Sequence, residues 1–341
     1  MARRKTISDL AEAAGVSVST IDRILSGRGP VKRLTVEHVL ETAERIGFHA
    51  TGAIRGKLTE DAPERTLGFL LNARERNLYA QLGEGLSRAT AASSLMRGRA
   101  VLRYLESIDP EEAAVALRAL GREVHAIAAV LVDHPLVNLA VSDLTRAGVP
   151  VFSLMSDISA PQRTGFLGAS DWQLGRTAGW FMQRLRPEGG RVGMLVGSGR
   201  YLCQQAHEMS FRQYLADSGA PHEVLPSRHT MEEDKRAYQL TLELLAAEPK
   251  LAGLMVAGGG LDGVIAAIRK RDRRDVVVIG TELTDAIRPA LLDGTVDVVL
   301  SHPALGLVDR TVSAMVDALE HPGGPPIQHI VPFEIAISEN V

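Results

Sequence analysis

The chain has 341 residues, 45% of them hydrophobic and 23% charged, with a formal net charge of −3; this composition belongs to folded globular proteins and excludes disordered or fibrous classes. Its single cysteine, Cys203, excludes an internal disulfide framework and argues against a cysteine-based metal site. The basic start MARRKTISDLAE lacks the apolar run of a signal peptide, and no segment approaches 18 uncharged apolar residues, so a cytoplasmic protein without a membrane partner is expected.

Charge is uneven along the chain. Residues 1–60 carry 10 Lys and Arg against 7 Asp and Glu, whereas the other 281 carry 28 against 34, and a positive front end attracts phosphate. There Thr6 is placed to cap a helix, with Asp9 in the reciprocal position and Ile7, Leu10, Ala11 and Ala14 as an apolar stripe. Gly15 permits a sharp turn. Ser17 caps a second helix that turns Ile21, Ile24 and Leu25 inward, and Gly27 and Gly29-Pro30 stop it. A third helix, about 35–46, presents Val36, Leu40, Ala43 and Ile46 to the same core. Three short helices in this order predict a helix-turn-helix domain. Its second helix offers Val18 and Ser19 to base edges in a major groove, Arg23 to a guanine or phosphate, and Thr20 to the backbone. A small helical protein-interaction domain is the alternative.

This stretch resembles the LacI family of bacterial repressors. The family pattern T-I-x-D-V-A-x-x-A-G-V-S-x-x-T-V-S-R-V-L-N stands here as TISDLAEAAGVSVSTIDRILS, Thr6 to Ser26. The resemblance implies contact with double-stranded operator DNA through Thr6, Ser17, Val18, Ser19, Thr20, Asp22 and Arg23. Asp22 replaces the usual serine; a carboxylate there repels phosphate or accepts from cytosine N4, which implies an atypical operator. The family's hinge pattern, Y-x-P-N-x-x-A-R-x-L, survives in part over 48–58. Arg55 fits, Pro and Asn are missing, and Leu58 arrives one residue late for a minor-groove wedge. Gly52 and Gly56 each weaken a short helix by about 1 kcal/mol relative to alanine, so the hinge is expected to lean on DNA and a second subunit. The expected division is 1–48 for DNA binding, 49–63 for hinge and linker, and 64–341 for effector binding and dimerisation.

From Thr66 short apolar strands alternate with helices. Strands are predicted at Thr66–Leu71, Ala126–Val132, Val149–Leu154, Gly165–Ala169, Val192–Val196, Leu254–Ala257, Val276–Ile279 and Val298–Leu300. Helices are predicted at Tyr79–Ala92, Asp171–Leu185, Glu208–Ala216, Lys235–Leu245, Gly263–Arg269 and Leu305–Leu319. This rhythm predicts parallel sheets covered by helices, in two lobes with a ligand cleft between them. An enzyme reading meets difficulty at its glycines. Leu202 stands where the dinucleotide fingerprint begun by Gly197-Ser198-Gly199 requires a third glycine, and Gly258-Gly259-Gly260 lacks the full spacing. Without a G-x-S-x-G elbow or H-E-x-x-H motif either, no catalytic residue, cofactor or metal is expected.

The larger region resembles the periplasmic sugar-binding-protein fold used as the sensor in LacI-family regulators. Asp133-His134-Pro135, the runs Gly168–Gly179 and Val278–Thr284, and Leu291–Asp297 carry the resemblance. The fold class is thus an N-terminal all-α helix-turn-helix domain followed by a two-lobed α/β periplasmic-binding-protein-like domain. It implies one lobe of about 64–161 plus 296–322 and another of about 162–295 plus 323–341. Strand ends facing the crevice meet the ligand. The first lobe offers Asn72, Arg74, Tyr79, Asp133, His134, Ser156 and Asp157, and the second offers Asp171, Trp172, His207, Glu282 and His302. Carboxylates accept from sugar hydroxyls, Asn, Arg and His complement them, and Tyr79 or Trp172 covers an apolar sugar face.

Blander roles compete with these. Asp171 is alternatively a helix N-cap, Asp157 and Arg74 solvated charges, His134-Pro135 a structural turn and Cys203 an inert small side chain. His207 stands where the family has a ligand-clamping arginine, His302 where related sensors have glutamine, and Thr281 where many have histidine, so glucose, ribose or galactose specificity is not implied. The expectation is a homodimeric repressor whose operator affinity is set allosterically by a sugar, polyol or sugar derivative. The N-terminal lobes and the Leu305–Leu319 helix are expected at the dimer contact, and a tetramer is not expected without an added heptad segment. A cytoplasmic solute-binding protein without gene control is the alternative.

Overall fold

Local signals build the first four helices of the computed structural model, which describes residues 5–60, 62–74, 76–219 and 221–341, leaving out the side chains of 33, 58–60, 304 and 305. α1 (Ile7–Ala14) opens on a reciprocal cap: the Asp9 amide donates to Thr6 Oγ1 at 3.2 Å and the Thr6 amide to Asp9 Oδ2 at 2.8 Å. Gly15 then takes φ 64°, which reverses the chain at no steric cost. Ser17 starts α2 (Val18–Ser26) by accepting from the Thr20 amide at 3.2 Å. α3 (Arg33–Ile46) and α4 (Thr51–Glu60) follow. Leu10, Ile21, Ile24, Val39 and Ile54 are buried together in one small core. Ile54 anchors α4 against that core, so residues 51–60 are helical in the single chain despite Gly52 and Gly56.

Beyond these helices two sheets form. The chain runs through β1 (Glu64–Leu71), α5 (Asn77–Ala92), β2 (Arg97–Tyr104), α6 (Pro110–Leu120), β3 (Ala126–Ala129), α7 (Pro135–Arg146), β4 (Val151–Leu154) and β5 (Gly165–Gly168). It continues through α8 (Asp171–Leu185), β6 (Gly190–Val196), α9 (Leu202–Asp217), β7 (His222–Val224), β8 (Arg228–His229), α10 (Asp234–Ala247), β9 (Leu251–Ala257), α11 (Leu261–Arg271), β10 (Val277–Gly280), α12 (Arg288–Leu292) and β11 (Val298–Ser301). α13 (Ala304–Glu320), β12 (Ile327–Ile330) and β13 (Glu334–Ala336) end it. The first sheet is parallel throughout, ordered β12-β5-β4-β3-β1-β2. The second is ordered β13-β11-β10-β9-β6-β7, with β8 beside β6 and only β13 antiparallel.

These orders correct the expected lobe limits. β5 pairs with β4 and β12, and β11 pairs with β10, so the crossings fall after Gly168 and Ser301 rather than near 161 and 295. The tail divides, β12 joining the first sheet and β13 the second. A four-residue, fully buried strand carries no local mark of the sheet it will join.

Besides the short β7, β8, α12 and β12, three longer elements were not predicted from the sequence. β2 is an edge strand whose exposed Arg97, Arg99 and Arg103 disguise it as a loop, the kind of charge that protects a sheet edge. α6 and α7 both carry proline at their first position, where its missing N–H costs nothing. His134 is the N-cap of α7, accepting from the Leu136 amide at 3.3 Å. On α13, Leu307, Val308, Thr311, Val312 and Met315 are buried within the first lobe, and Asp309, Arg310, Asp317 and Glu320 face outward.

Candidate functional site

α2 shows two faces. Ile21 and Ile24 are buried, while Val18 is 50% exposed beside exposed Ser19, Asp22 and Arg23. Ser17 Oγ lies 2.8 Å from Thr20 Oγ1, and Arg23 folds back along its helix, Nε donating to the Ser19 carbonyl at 3.3 Å and Nη2 to Thr20 Oγ1 at 3.4 Å. The hydroxyls of Thr6 and Ser17 cap helices. Arg55, on α4, is ion-paired with Glu44 of α3. The side chain of Leu58 lies outside the described residues.

The second site is the crevice between the sheets. The loop after β1 sends Arg76 across from the first lobe, where Nη1 donates to Glu232 Oε2 at 2.5 Å and Nη2 to Glu282 Oε2. Glu232 follows β8 and Glu282 follows β10, so one guanidinium from one lobe bridges two carboxylates of the other. Tyr79, Ser156, Tyr201, Cys203, Gln204, His207, Thr281 and His302 line the same cavity. Asn72, which lines a neighbouring recess, donates to the Tyr201 hydroxyl at 2.7 Å and the Tyr79 hydroxyl at 3.3 Å. The cavity is backed by Asp171, whose Oδ1 lies 3.1 Å from His207 Nε2 and 3.9 Å from His302 Nε2.

Backbone choices serve these contacts. Met155 (φ 61°) and Glu232 (φ 65°) line the cavity and Met231 (φ 56°) the neighbouring recess, all in the left-handed region that non-glycine residues avoid. The glycine loops also find their reason here. A Cβ on Gly197 would fall on the Glu232 carboxylate, and one on Gly258 would fall on the Gln204 amide. Gln204 Nε2 donates to Glu232 Oε1 at 2.7 Å and the Gly259 amide to Glu232 Oε2 at 3.0 Å. The glycines admit side chains, where a nucleotide-binding loop would admit phosphate.

Burial governs the electrostatics. It pushes the Glu282 carboxyl and the Tyr79, Tyr201 and Cys203 groups up, with Arg76 opposing it at Glu282 and Tyr79. At Arg76 burial works downward, yet Glu282, Tyr79 and Glu232 outweigh it and hold the guanidinium charged. Burial also lowers His302 below its ordinary 6.5, against the pull of Asp171. The unfolded chain then takes up this proton more readily, so the His302 contribution is complete above about pH 6.5 and is lost as pH falls through the lower folded value. Thermal unfolding from about pH 7.5 to about pH 5 should show the wild type losing stability on acidification faster than His302→Gln. The opposite slope from Glu282 is common to both proteins and cancels; parallel curves would remove His302 from the balance.

Asp171, His207 and His302 place ligand-type atoms within 4.8 Å of one another. Neither buried Nδ1 has a partner among the described residues, although a metal-bound imidazole is normally oriented through its second nitrogen. The trio therefore reads as a hydrogen-bonding wall.

Of the residues expected at the effector site, Tyr79, Ser156, His207, Glu282 and His302 line the cavity, with Asn72 in a neighbouring recess and Asp171 behind. Five expectations are corrected. Arg74 is exposed and lies over the Tyr104 ring. The Asp133 carboxylate accepts from Ser159 and Asn138, which hold it low against burial. His134 caps α7, and Asp157 pairs with Arg163 through two 2.7 Å bonds. Trp172 is 43% exposed. Asp171 is the first residue of α8, after the N-cap Ser170, and spends its side chain on His207. Arg76, Gln204 and Glu232 were missed. α9 begins six residues before the expected Glu208, which places Cys203, Gln204 and His207 on one cavity-facing helix.

Residues 6–50 match the model of bacterial regulatory proteins of the lacI family, and residues 69–323 match a periplasmic binding protein domain. The chain belongs to the periplasmic binding protein domain family, and its first helices carry the lacI-family segment. Among similar proteins, catabolite control protein A of Priestia megaterium is 27% identical over 146 residues, 43% of this chain and 42% of that protein. The maltose regulon regulatory protein MalI of Escherichia coli K12 is 36% identical over 98 residues, 28% of this chain and 27% of the other. The matched stretches thus span less than half of either curated relative. An ABC transporter solute-binding protein of Burkholderia graminis, solved with D-arabinose, superposes with a TM-score of 0.75 at 16% identity, covering 82% of this chain and 97% of that one. That likeness establishes the two-lobed fold of the larger region. Among the described residues no helix is long and apolar enough to cross a membrane.

Proposed function

We propose that this chain is a sequence-specific DNA-binding transcription regulator, a homodimeric cytoplasmic repressor whose operator affinity is set by a small sugar-like or polyol effector held between the lobes. The observation that carries it is α2 itself: a capped helix with Ile21 and Ile24 inward and Val18, Ser19, Asp22 and Arg23 outward, inside the segment matched to lacI-family regulators. The first turn of such a helix enters a major groove, and two copies read a pseudo-palindrome. The inter-lobe cavity brings Arg76, Gln204, His207, Glu232 and Glu282 together in a fold shared with a protein solved with D-arabinose, which supports a hydroxylated effector.

Operator selection from random duplexes followed by a mobility assay at physiological salt tests this. Arg23→Ala should weaken the selected operator by about 10-fold or more through loss of a base or phosphate contact. Binding that is weak and indifferent to sequence would overturn the proposal and favour a solute-binding protein without gene control.

A further inference from the structure

The cleft is closed on itself. Besides the Arg76 bridge, the Asp133 amide donates to the Arg200 carbonyl at 2.8 Å, Asn72 donates to Tyr201 at 2.7 Å and the Cys203 amide donates to Ser156 Oγ at 3.4 Å, all between the lobes. The space left is about 50 Å³, a third of the roughly 150 Å³ that admits benzene. A monosaccharide enters only if the lobes part and Arg76 withdraws.

Charge then limits what can take its place. Among the described lining residues, Glu232 and Glu282 share the single guanidinium of Arg76. Its withdrawal would leave two buried carboxylates without a cation, and an unpaired buried charge is costly. Neutral hydroxyls hydrogen-bond to carboxylates but bring no charge. A second recess that shares Arg76 and Glu232 has the same bias: Glu106, Asp109, Glu233 and Asp234 line it, with Arg200 as the opposing charge beside Arg76. Asp234 and Asp262 border the adjoining recess. An acidic cleft between low-dielectric walls concentrates cations.

We propose that the effector is a small polyhydroxylated primary amine, an amino sugar or aminocyclitol, whose ammonium replaces the Arg76 guanidinium between Glu232 and Glu282. This rests on the effector-controlled regulator proposed above and narrows only its ligand. Arg76 is an internal stand-in that holds the cleft shut, and the effector competes with it.

Calorimetry on the full chain, with D-glucosamine, D-galactosamine and D-mannosamine each set against the parent hexose and the N-acetyl derivative, tests the proposal. At least one amine should bind about 10-fold tighter than both of its uncharged counterparts, the loss expected when a charge-assisted bond is removed. Glu282→Gln should weaken that amine by a similar factor, and Arg76→Met, relieved of the competitor, should bind it more tightly than the wild type. Failure of every amine, equal or tighter binding of an uncharged counterpart, or weaker binding by folded Arg76→Met overturns the proposal. If Arg76→Met does not fold by circular dichroism, the ligand series and Glu282→Gln decide it. A mobility assay on the selected operator keeps the two ideas apart. A neutral sugar that shifts operator affinity and outbinds the amines leaves the regulator standing and removes the amine. Absent operator binding removes the regulator, whatever calorimetry shows.

Discussion

Leu10→Ala is expected to unfold the DNA-binding domain while leaving the larger domain's thermal transition in place. Leu10 is fully buried among 11 core residues, and the core of the first sheet is a separate cluster. Truncating a buried leucine costs about 2–5 kcal/mol. A domain of roughly fifty-five residues holds only some 3–8 kcal/mol at the usual stability per residue. The Thr6–Asp9 cap, worth about 1 kcal/mol, cannot compensate. Calorimetric scans should lose the DNA-binding domain's transition, and the mobility assay should lose operator binding at 37 °C, a temperature of about the lower mesophile melting range. A single transition that shifts as a whole would show instead that the two parts unfold as one unit.

Gly175→Ala is expected to damage the effector cleft from behind. α8 and α9 cross so closely at Gly175 that a Cβ would fall on the Ser210 hydroxyl and the His207 carbonyl oxygen, and 2.9 Å from His207 Cα. Gly179, one turn on, meets Tyr214 Cδ1 at 2.8 Å in the same way. At Gly175 the His207 backbone stands in the way besides the Ser210 side chain, which places the cost near the upper end of the about 1–3 kcal/mol of overpacking. The melting temperature of the larger domain should fall by roughly 5–10 °C. The consequence reaches the cavity because Asp171 is on α8 and His207 on α9, and parting the helices breaks their 3.1 Å bond. Effector affinity should fall while operator binding without effector is kept. A variant with wild-type melting and wild-type ligand affinity would refute so tight a crossing.

Legibility followed the range of the forces involved. The cap at Thr6, the left-handed Gly15 and the stripe of Leu10, Ala11 and Ala14 act within a turn or two, so they show in the chain before it folds. β2 escaped notice because an edge strand tolerates Arg97, Arg99 and Arg103, which mimic a loop. α6 and α7 were hidden behind their opening prolines, although proline at a first helical position is itself a signal. At the cleft, residue type was a fair guide to Glu282, His207 and Tyr79, each near a strand end or helix facing the crevice. It misled at Asp133, Asp157 and Arg74, where equally polar side chains found partners on their own lobe.

By itself the sequence determined the order of helices and strands around Thr6–Ser26 and the main β strands, because capping, turn chemistry and apolar periodicity are local. Only the tertiary structure decided which polar groups became a site. Arg76 meets Glu232 and Glu282 across 156 and 206 residues of chain. It does so because two sheets, joined by crossings after β5, β11 and β12, turn their strand ends toward one crevice. Left-handed Met231 and Glu232, and glycines bare enough to admit Glu232 and Gln204, complete that meeting. Desolvation then makes the choice of partner matter: the same charges on the surface would be interchangeable, but inside the closed cleft each must be matched.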